Sequence, residues 1–574
     1  MGVPRLLSTL EPYAERKPLD GAQVIIDGPG LAYHAVNLCR ADSSAGAGKK
    51  GHPLDSFSYD QLGQAALALL DELRRRGVTM SLRDIFVSYQ RDNVPGFDAK
   101  DTQSNSRSPA PAFTVPAVLD ALHQSPIYGP LTSLVPGEAD TFCAGRARAA
   151  DSGTVLTSDS DLLVQDLGSR ANVVLFRDID PRRRDADKPL IVPTYSPAKL
   201  CQRLALRPGN GMRALAFELF LDPHLSLGKL VERANREAAI TTFPREYAAF
   251  AEQYAHPGQL AQLAKTYDTA ELDPRLSEFV LQCLFPLHRG NEGREGGTGL
   301  GPDNSVLVFV PQLLEDWTRT NAWEVSTPLR QCAYSLQQLV APPQATAVRE
   351  YTRRASLSSR GTQVELLSLP QIHGAVGAFT ACLRRIQTQT ETDHDLQWVI
   401  LAAHLDIEWS RNAAKESVCL TVLCNETPAD GVLDRVTWNT VHWLSQIQAT
   451  LYSLRLLKQM LEFVLREADE KQLARLAPIL SDLHEMLSSV TPIADYPTLQ
   501  TLQRLPARLK QAGALELLSD LGNLTKPIQF SAGPKQKQKS KEATRKRKRP
   551  ERIVKSADRP QKLKNPFSVL DDLD

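Results

Sequence analysis

The sequence of 574 residues lacks the features that would place it in a membrane or secretory class. It has no run of 18 apolar residues, so no transmembrane helix is expected. The N-terminus has neither the basic nor the apolar segment of a signal peptide. Leu6 stands where a myristoylation signal requires Ser or Thr. These absences predict a soluble, intracellular protein that has no membrane partner.

Common cysteine and glycine motifs are also missing. The eight cysteines form no CxxC pair and no Cys/His cluster at zinc spacing, which favours reduced, buried thiols. The glycine-rich segment 290–301 lacks the lysine of a P-loop and does not follow a predicted strand, so we interpret it as a loop. The sequence therefore argues against a zinc finger and against a P-loop nucleotide site.

Charge is nearly balanced over the whole chain, at a net +1, but it is unevenly distributed. Residues 535–564 contain 14 Lys or Arg against three acids, and the last ten residues add three Asp. The body of the chain is therefore mildly acidic, whereas the tail is strongly basic. High charge and few apolar residues predict that residues 530–574 are disordered.

Strand and helix patterns alternate in the first part of the chain. Short apolar runs predict buried strands, and they cover residues 22–27, 84–89, 154–157 and 171–176. Helical patterns between them predict an α/β fold with a parallel sheet flanked by helices. Beyond about residue 236 we find only helical periodicity, most clearly at 447–464, which predicts a mostly α-helical domain.

Four carboxylates form two close pairs within Gly137–Asp161. Glu138 and Asp140 stand at the start of a predicted helix, and Asp159 and Asp161 follow a predicted strand. In a parallel sheet, that carboxyl edge is where ligand sites form. The alternative interpretation is that the first pair only supplies N-terminal helix charges and that Asp159 is a helix N-cap.

Two further acids complete a predicted set of six at the sheet edge. Asp27 ends the first strand, and Asp222 follows the run AFELFL. Carboxylates within about 5 Å repel each other by ~3 kcal/mol per pair at an effective dielectric near 20. A divalent cation removes this repulsion, and an all-oxygen site suits Mg²⁺ or Mn²⁺. The predicted metal ligands are Asp27, Glu138, Asp140, Asp159, Asp161 and Asp222.

Several motifs together resemble one nuclease family. MGVPRLL, VIIDG, VPGEAD and VLTSDSDLLV are similar to the flap-endonuclease/XPG group of PIN-like nucleases. PTYSPAKLC and AFELFLDPHLSLGKLVERA resemble the Asteroid branch of that family, and LYSLRLLKQML resembles its fungal members. The resemblance covers residues 1–235, which we predict to be a PIN-like nuclease domain. A helical domain at 236–529 and a disordered basic tail at 530–574 follow it.

The resemblance implies a structure-specific nuclease that hydrolyses phosphodiester bonds of DNA or RNA with two Mg²⁺ or Mn²⁺ ions about 3.5–4 Å apart. By analogy, one ion is bound by Asp27, Glu138 and Asp140. The other ion is bound chiefly by Asp159, Asp161 and Asp222. All of these except Asp222 are predicted to be catalytic as well.

The chain departs from the family pattern after Asp222, where HLSLGKLVE lacks the glycine-rich helix–turn–helix that binds duplex backbone, and at two further places. Where the family has an Asp-Gly pair after the second strand, the sequence is FVSYQRD, and Ser88 occupies the acidic position. The family's basic helical arch falls on 90–116, which has few basic residues and no helical pattern. Either the protein has lost much of its substrate binding, or residues 88–115 come from a misjoined gene model. The alternative function is a degenerate nuclease fold that binds nucleic acid or protein as a scaffold.

Three terminal features are predicted to contact partners. Gly2, once the initiator Met is removed, places a free amino terminus near the substrate, as the resemblance implies. The motif NPFSVLDDLD at the C-terminus is interpreted as a docking peptide for a protein partner. A basic run suits phosphate contact or nuclear import, and its alternative is a solvated charge run. That run comprises Arg545, Lys546, Arg547, Lys548 and Arg549. We expect a nuclear protein, with an additional cytoplasmic location left open.

Overall fold

The structure is a computed structural model in which residues 1–530 form one compact unit. It describes the chain in stretches, which are residues 3–46, 57–81, 83–88, 110–150, 152–179, 188–207, 211–254, 269–284, 306–341, 345–352, 361–389, 394–428, 431–433 and 435–524.

A parallel five-stranded sheet lies at the centre of the first part, with strand order β4-β3-β2-β5-β6. Its strands are β2 (Val24–Asp27), β3 (Ile85–Ser88), β4 (Thr132–Val135), β5 (Thr154–Thr157) and β6 (Asn172–Leu175). Beside it, β1 (Glu15–Pro18) pairs antiparallel with β7 (Ile191–Thr194). The predicted α/β class with a parallel sheet flanked by helices is confirmed, and β2 and β5 lie side by side in the sheet.

The strand residues alternate between two apolar layers because successive side chains point to opposite faces of a sheet. Ile25 and Val155 join one buried layer, whereas Ile26 and Leu156 join the other. Both faces of the sheet are therefore covered, which explains why its strands are nearly continuous apolar runs in the sequence.

Helices cover both faces of this sheet. Their bounds are α1 (Leu6–Leu10), α2 (Gly28–Gly46), α3 (Tyr59–Arg75), α4 (Thr114–Gln124), α5 (Ala139–Ala150), α6 (Pro197–Arg203), α7 (Gly211–Leu221), α8 (Leu227–Asn235), α9 (Ala238–Thr242) and α10 (Pro244–Glu252). Helix α2 begins directly after β2. A Cβ on Gly28 would lie 2.7 Å from the carbonyl oxygen of Phe86, so only glycine lets the helix start this close to β3.

The second part is mostly helical. Its helices are α11 (Pro274–Leu284), α12 (Thr327–Leu336), α13 (Leu369–Gln389), α14 (His394–Ala413), α15 (Val418–Leu420), α16 (Trp438–Glu467), α17 (Glu470–Leu473), α18 (Ala477–Met486), α19 (Leu499–Leu502), α20 (Leu505–Gln511) and α21 (Ala514–Leu524), with a π-helix at Thr421–Glu426. The longest, α16, begins with a capping box in which Thr437 and Thr440 exchange hydrogen bonds. No helix among the described residues is long and apolar enough to cross a membrane.

A small sheet that helical periodicity did not predict also lies in this part. It has the order β10-β9-β8 and consists of β8 (Val306–Phe309), β9 (Ala347–Tyr351) and β10 (Thr362–Glu365). Each strand has only four or five residues. β9 and β10 contain charged and polar residues, so they lack the continuous apolar run that indicates the strands of the central sheet.

One apolar cluster extends from Leu19 to Leu521, so the helices on one face of the central sheet share a core with the second part. Phe113, just before α4, illustrates the contact. Its ring centroid lies 4.7 Å from that of Tyr452 and 5.4 Å from that of Tyr496. The shared core contains residues from before and after residue 235. The domain boundary predicted there therefore stays a prediction.

Candidate active site

The site begins at the end of β2, the middle strand of the central sheet. Asp27 is 2% exposed, and its Oδ2 accepts a hydrogen bond of 2.8 Å from the Thr157 hydroxyl. Its Oδ1 is buried and accepts no hydrogen bond from the residues that the structure describes. Burial raises the pKa of the Asp27 carboxyl to about 6. This buried carboxylate therefore lacks a compensating partner on one oxygen.

A glycine is required next to this carboxylate. A Cβ on Gly30 would lie 2.3 Å from Asp27 Oδ2 and 2.7 Å from the backbone nitrogen of Ser158. The missing side chain lets backbone N–H groups of Gly30 and Ser158 hydrogen-bond Asp27, and these bonds favour its ionised form. The start of α2 is thus shaped around the Asp27 side chain.

The second acidic pair lies at the end of β5, the neighbour of β2. The Asp159 backbone N–H donates to Thr157 Oγ1 at 2.9 Å, and Asp159 Oδ1 accepts from the Asp161 N–H at 2.9 Å. Asp159 is therefore the N-cap of a short 3₁₀ helix, Ser160–Leu163. Through its Oδ1, Asp159 acts as the N-cap that the alternative interpretation predicted. Its charge also contributes to the acidic cluster described below.

The first acidic pair is held at the start of α5 by Ser88. Ser88 ends β3 and is completely buried, and its Oγ accepts a hydrogen bond of 2.9 Å from the Ala139 backbone N–H. Ala139 lies between Glu138, which is exposed, and Asp140, which is partly exposed. The residue that takes the acidic position of the resembled family therefore anchors the helix that presents both acids.

Five of the predicted carboxylates lie close enough to repel one another electrostatically. Burial raises the pKa of Asp140 well above its usual range, and four neighbouring charges raise it further. These neighbours are Asp27, Asp159, Glu138 and Asp161. Burial and the charge of Asp159 likewise raise the pKa of Asp161 to about 6. Mutual repulsion is therefore present across the ends of β2 and β5 and the start of α5.

Asp222 is the sixth predicted ligand. It follows the last residue of α7, and its Oδ1 accepts a hydrogen bond of 3.0 Å from the His224 N–H. Although the structure describes Asp222, it is not among the charges that act most strongly on Asp140. Its assignment as a metal ligand stays a prediction.

The other predicted contact residues lie outside the described residues. These are Gly2, the basic run Arg545–Arg549, the motif NPFSVLDDLD and most of the segment expected to hold the arch. Val3 is the first described residue, and its backbone N–H donates to Asp161 Oδ1 at 2.9 Å. The chain immediately after Gly2 thus contacts the acidic cluster directly.

The cluster suits a divalent cation in donor type and in charge. All donors are carboxylate oxygens, the set that Mg²⁺ and Mn²⁺ prefer, and Asp27 offers an oxygen without a partner. The positions of the side chains do not match this chemistry. Within the described part of the chain, no three His, Cys, Asp or Glu side chains are placed to hold one ion. Binding an ion would therefore require the carboxyl groups to turn toward each other.

Sequence reasoning missed three groups that hold the acids in place. Thr157 bridges Asp27 and the Asp159 backbone, and a hydroxyl at a strand end was a signal that could have been used. The Tyr254 hydroxyl donates to Asp161 Oδ2 at 3.2 Å from a position far along the chain. The Val3 backbone contact involves no side chain, so no residue type could have indicated it.

Comparison with known proteins finds a family model that matches part of the chain. Residues 110–366, less than half of the chain, match the sequence model of a family described as XPG domain containing. Human GEN1 in complex with Holliday junction DNA is a similar solved structure, at 16% identity and a TM-score of 0.26. The similarity covers 49% of this chain and 72% of that one. No curated protein matches the chain.

Proposed function

We propose that this protein is a divalent-metal-dependent, structure-specific nuclease that hydrolyses phosphodiester bonds of DNA or RNA. The observation that carries the proposal is the gathering of five carboxylates at the ends of β2 and β5 and the start of α5, where burial and mutual repulsion raise the pKa of Asp140. Clustered charge of this kind destabilises a folded chain unless a cation offsets it. The match to the XPG domain family supports the same reaction class.

In this proposal, Asp27, Glu138, Asp140, Asp159 and Asp161 would hold the metal. When bound, a divalent ion supplies Lewis-acid activation of water and neutralises charge on the phosphate. Thr157 holds Asp27 and the backbone of Asp159 at one end of the cluster. Glu138 is exposed, so a phosphodiester can approach the cluster from its side.

A second candidate function is a nuclease fold that binds nucleic acid or a protein without cutting. Two observations favour it. Ser88 holds a helix where the resembled family has an acid, and no three ligand side chains within the described residues are ready to hold one ion. Both point to a weaker metal site than the family pattern requires.

Cleavage of defined substrates separates the two functions. The full-length chain is incubated with flap, bubble and linear DNA and with RNA, in Mg²⁺ or Mn²⁺. We expect cleavage by the wild type and its loss in the double variant Asp159→Ala/Asp161→Ala. The matched control is Asp166→Ala, because Asp166 lies on the surface in an ion pair with Arg148 and is 62% exposed.

Each outcome decides between the candidates. Cleavage that survives the double variant comes from a contaminant and contradicts the nuclease proposal. Absence of cleavage, together with no rise in melting temperature on adding metal, favours the non-cutting function. A Ser88→Asp variant that cleaves when the wild type does not would identify Ser88 as the cause of the lost activity.

Finer assignments belong to the same proposal. We place the chain in the Asteroid branch as a fungal-type member on its resemblance in sequence. The basic run Arg545–Arg549 supports nuclear localisation and loose phosphate contact, and NPFSVLDDLD supports a protein partner. Deletion of 545–549 in a fluorescent fusion is expected to shift the protein out of the nucleus, and an unchanged distribution would contradict this role.

A further inference from the structure

Asp161 is held from two sides by groups outside the central sheet. The Val3 backbone N–H donates to its Oδ1 at 2.9 Å, and the Tyr254 hydroxyl donates to its Oδ2 at 3.2 Å. Each carboxylate oxygen has two lone pairs. One acceptor position on each oxygen is therefore occupied, and the plane of the carboxylate is fixed while further positions remain for a ligand.

Tyr254 is itself held rigidly. It follows α10, is 6% exposed, and its ring centroid lies 5.1 Å from that of Phe250. Phe250 in turn packs 5.2 Å from Phe217 on α7. Aromatic pairs at these distances stabilise each other beyond the area they bury. The hydroxyl therefore reaches Asp161 from a packed aromatic stack and not from a mobile side chain.

We infer that Tyr254 is a positioning residue that orients Asp161 for binding a divalent cation, an inference that rests on the proposed function. Partners that hydrogen-bond a ligating carboxylate fix its orientation, and their loss weakens metal binding. Tyr254 lies beyond the predicted end of the nuclease domain at residue 235. The acidic cluster is thus completed by helices that follow that domain in the sequence.

Titration of the full-length chain with Mn²⁺ alone tests this inference, with free Mn²⁺ measured by electron paramagnetic resonance. Tyr254→Phe removes only the hydroxyl and keeps the ring against Phe250. We expect it to raise the Mn²⁺ dissociation constant about tenfold. Tyr247→Phe is the matched control, since Tyr247 lies on α10, the helix that precedes Tyr254, and its ring packs 5.1 Å from that of Phe217. Its affinity should equal that of the wild type.

A double-mutant cycle distinguishes positioning from a general effect on folding. In an Asp161→Asn background, Tyr254→Phe should leave Mn²⁺ affinity unchanged, because the carboxylate that it orients is gone. An equal loss in both backgrounds overturns the inference, as does a Tyr254→Phe variant that melts at a lower temperature yet binds Mn²⁺ like the wild type. In either case the proposed nuclease stands. A wild-type chain that binds no Mn²⁺ overturns both.

Discussion

At the scale of single residues, the acidic cluster places an energetic cost on the folded chain. Asp27 is almost completely buried, and one of its oxygens has no hydrogen-bond partner among the described residues. Its pKa of about 6 lies above the ordinary value of 3.8. A shift of one pKa unit corresponds to about 1.4 kcal/mol, so this position is expected to reduce the stability of the metal-free protein.

Asp27→Asn is therefore expected to raise the free energy of unfolding at pH 7 by up to about 3 kcal/mol in the metal-free protein. Between pH of about 4 and 6 the folded wild type keeps a proton that the unfolded chain has lost. Its stability falls as pH rises through this window, and the fall is smaller in the variant, which keeps only the contributions of Asp161 and Asp140. Urea unfolding in a chelator at several pH values measures the effect.

The control for this experiment is Asp166→Asn, because Asp166 is exposed. Its unfolding free energy should follow that of the wild type at every pH. Parallel curves for Asp27→Asn and the wild type between pH 4 and 7 would mean that burial does not perturb Asp27 in solution.

Ser88 has a stabilising role that can be measured in the same way. Ser88→Ala leaves the Ala139 N–H without its acceptor at a buried position. We expect a loss of about 1–3 kcal/mol in the free energy of unfolding. Ser152→Ala, in a surface turn after α5, should cost less than about 0.5 kcal/mol. Similar losses for both variants would show that the Ser88 hydrogen bond contributes little.

At the scale of elements, one arginine joins three helices across the two parts of the chain. Arg455 on α16 makes a bidentate contact of 2.7 and 2.8 Å with Asp120 on α4. Its Nε also lies 3.3 Å from Asp273, a completely buried residue just before α11. The Tyr452 hydroxyl donates to the same Asp273 at 2.6 Å. Removal of Arg455 would leave buried carboxylate charge without its main partner.

Arg455→Ala is accordingly expected to lower the free energy of unfolding by about 3–5 kcal/mol. Arg384 forms a comparable ion pair with Asp482, but on the surface, where its side chain is 63% exposed. Arg384→Ala should cost at most about 1 kcal/mol. Denaturant unfolding of both variants checks the difference, and equal costs would contradict a structural role for the buried contact.

The sequence predicted some elements closely because their signals are local. The run 154–157 matches β5, and the predicted strand at 84–89 contains β3, because both are apolar runs bounded by turn residues. Strands β8, β9 and β10 were not anticipated. β9 and β10 include charged and polar residues, so they form no apolar run of the kind that indicated β5.

The sequence predicted the acidic residues of the candidate site, but it did not predict the groups that hydrogen-bond them. Asp27, Asp159 and Asp161 follow strands, and parallel strands bring their carboxyl ends to one edge. Tyr254 reaches Asp161 from 93 residues further along the chain. A contact of that kind depends on how α7 and α10 pack, which no spacing in a single sequence encodes.

At the scale of the whole molecule, the central sheet and the C-terminal helices share one apolar core. Phe113 packs against Tyr59 as well as Trp323, at centroid distances of 5.8 and 6.4 Å. A chain that ended at residue 235 would keep Phe113 and Tyr59 but lose Trp323, exposing apolar surface on one face of the sheet. Large patches of this kind promote aggregation.

We therefore expect the fragment 1–235 to aggregate or to bind a hydrophobic dye, whereas the full-length chain melts in a single transition. Calorimetry of the full chain and dye binding by the fragment measure the two expectations. Two separate calorimetric transitions, or a soluble fragment with a cooperative melt, would mean that the first part folds independently of the helices.

The contact between the Val3 backbone and Asp161 has a practical consequence for anyone who purifies this protein. This N–H lies 2.9 Å from the carboxylate, so any residues added before Val3 would begin beside the acidic cluster. A polyhistidine tag at that end would place metal-binding imidazoles next to the carboxylates under study. An affinity tag for metal and cleavage experiments belongs at the other end of the chain.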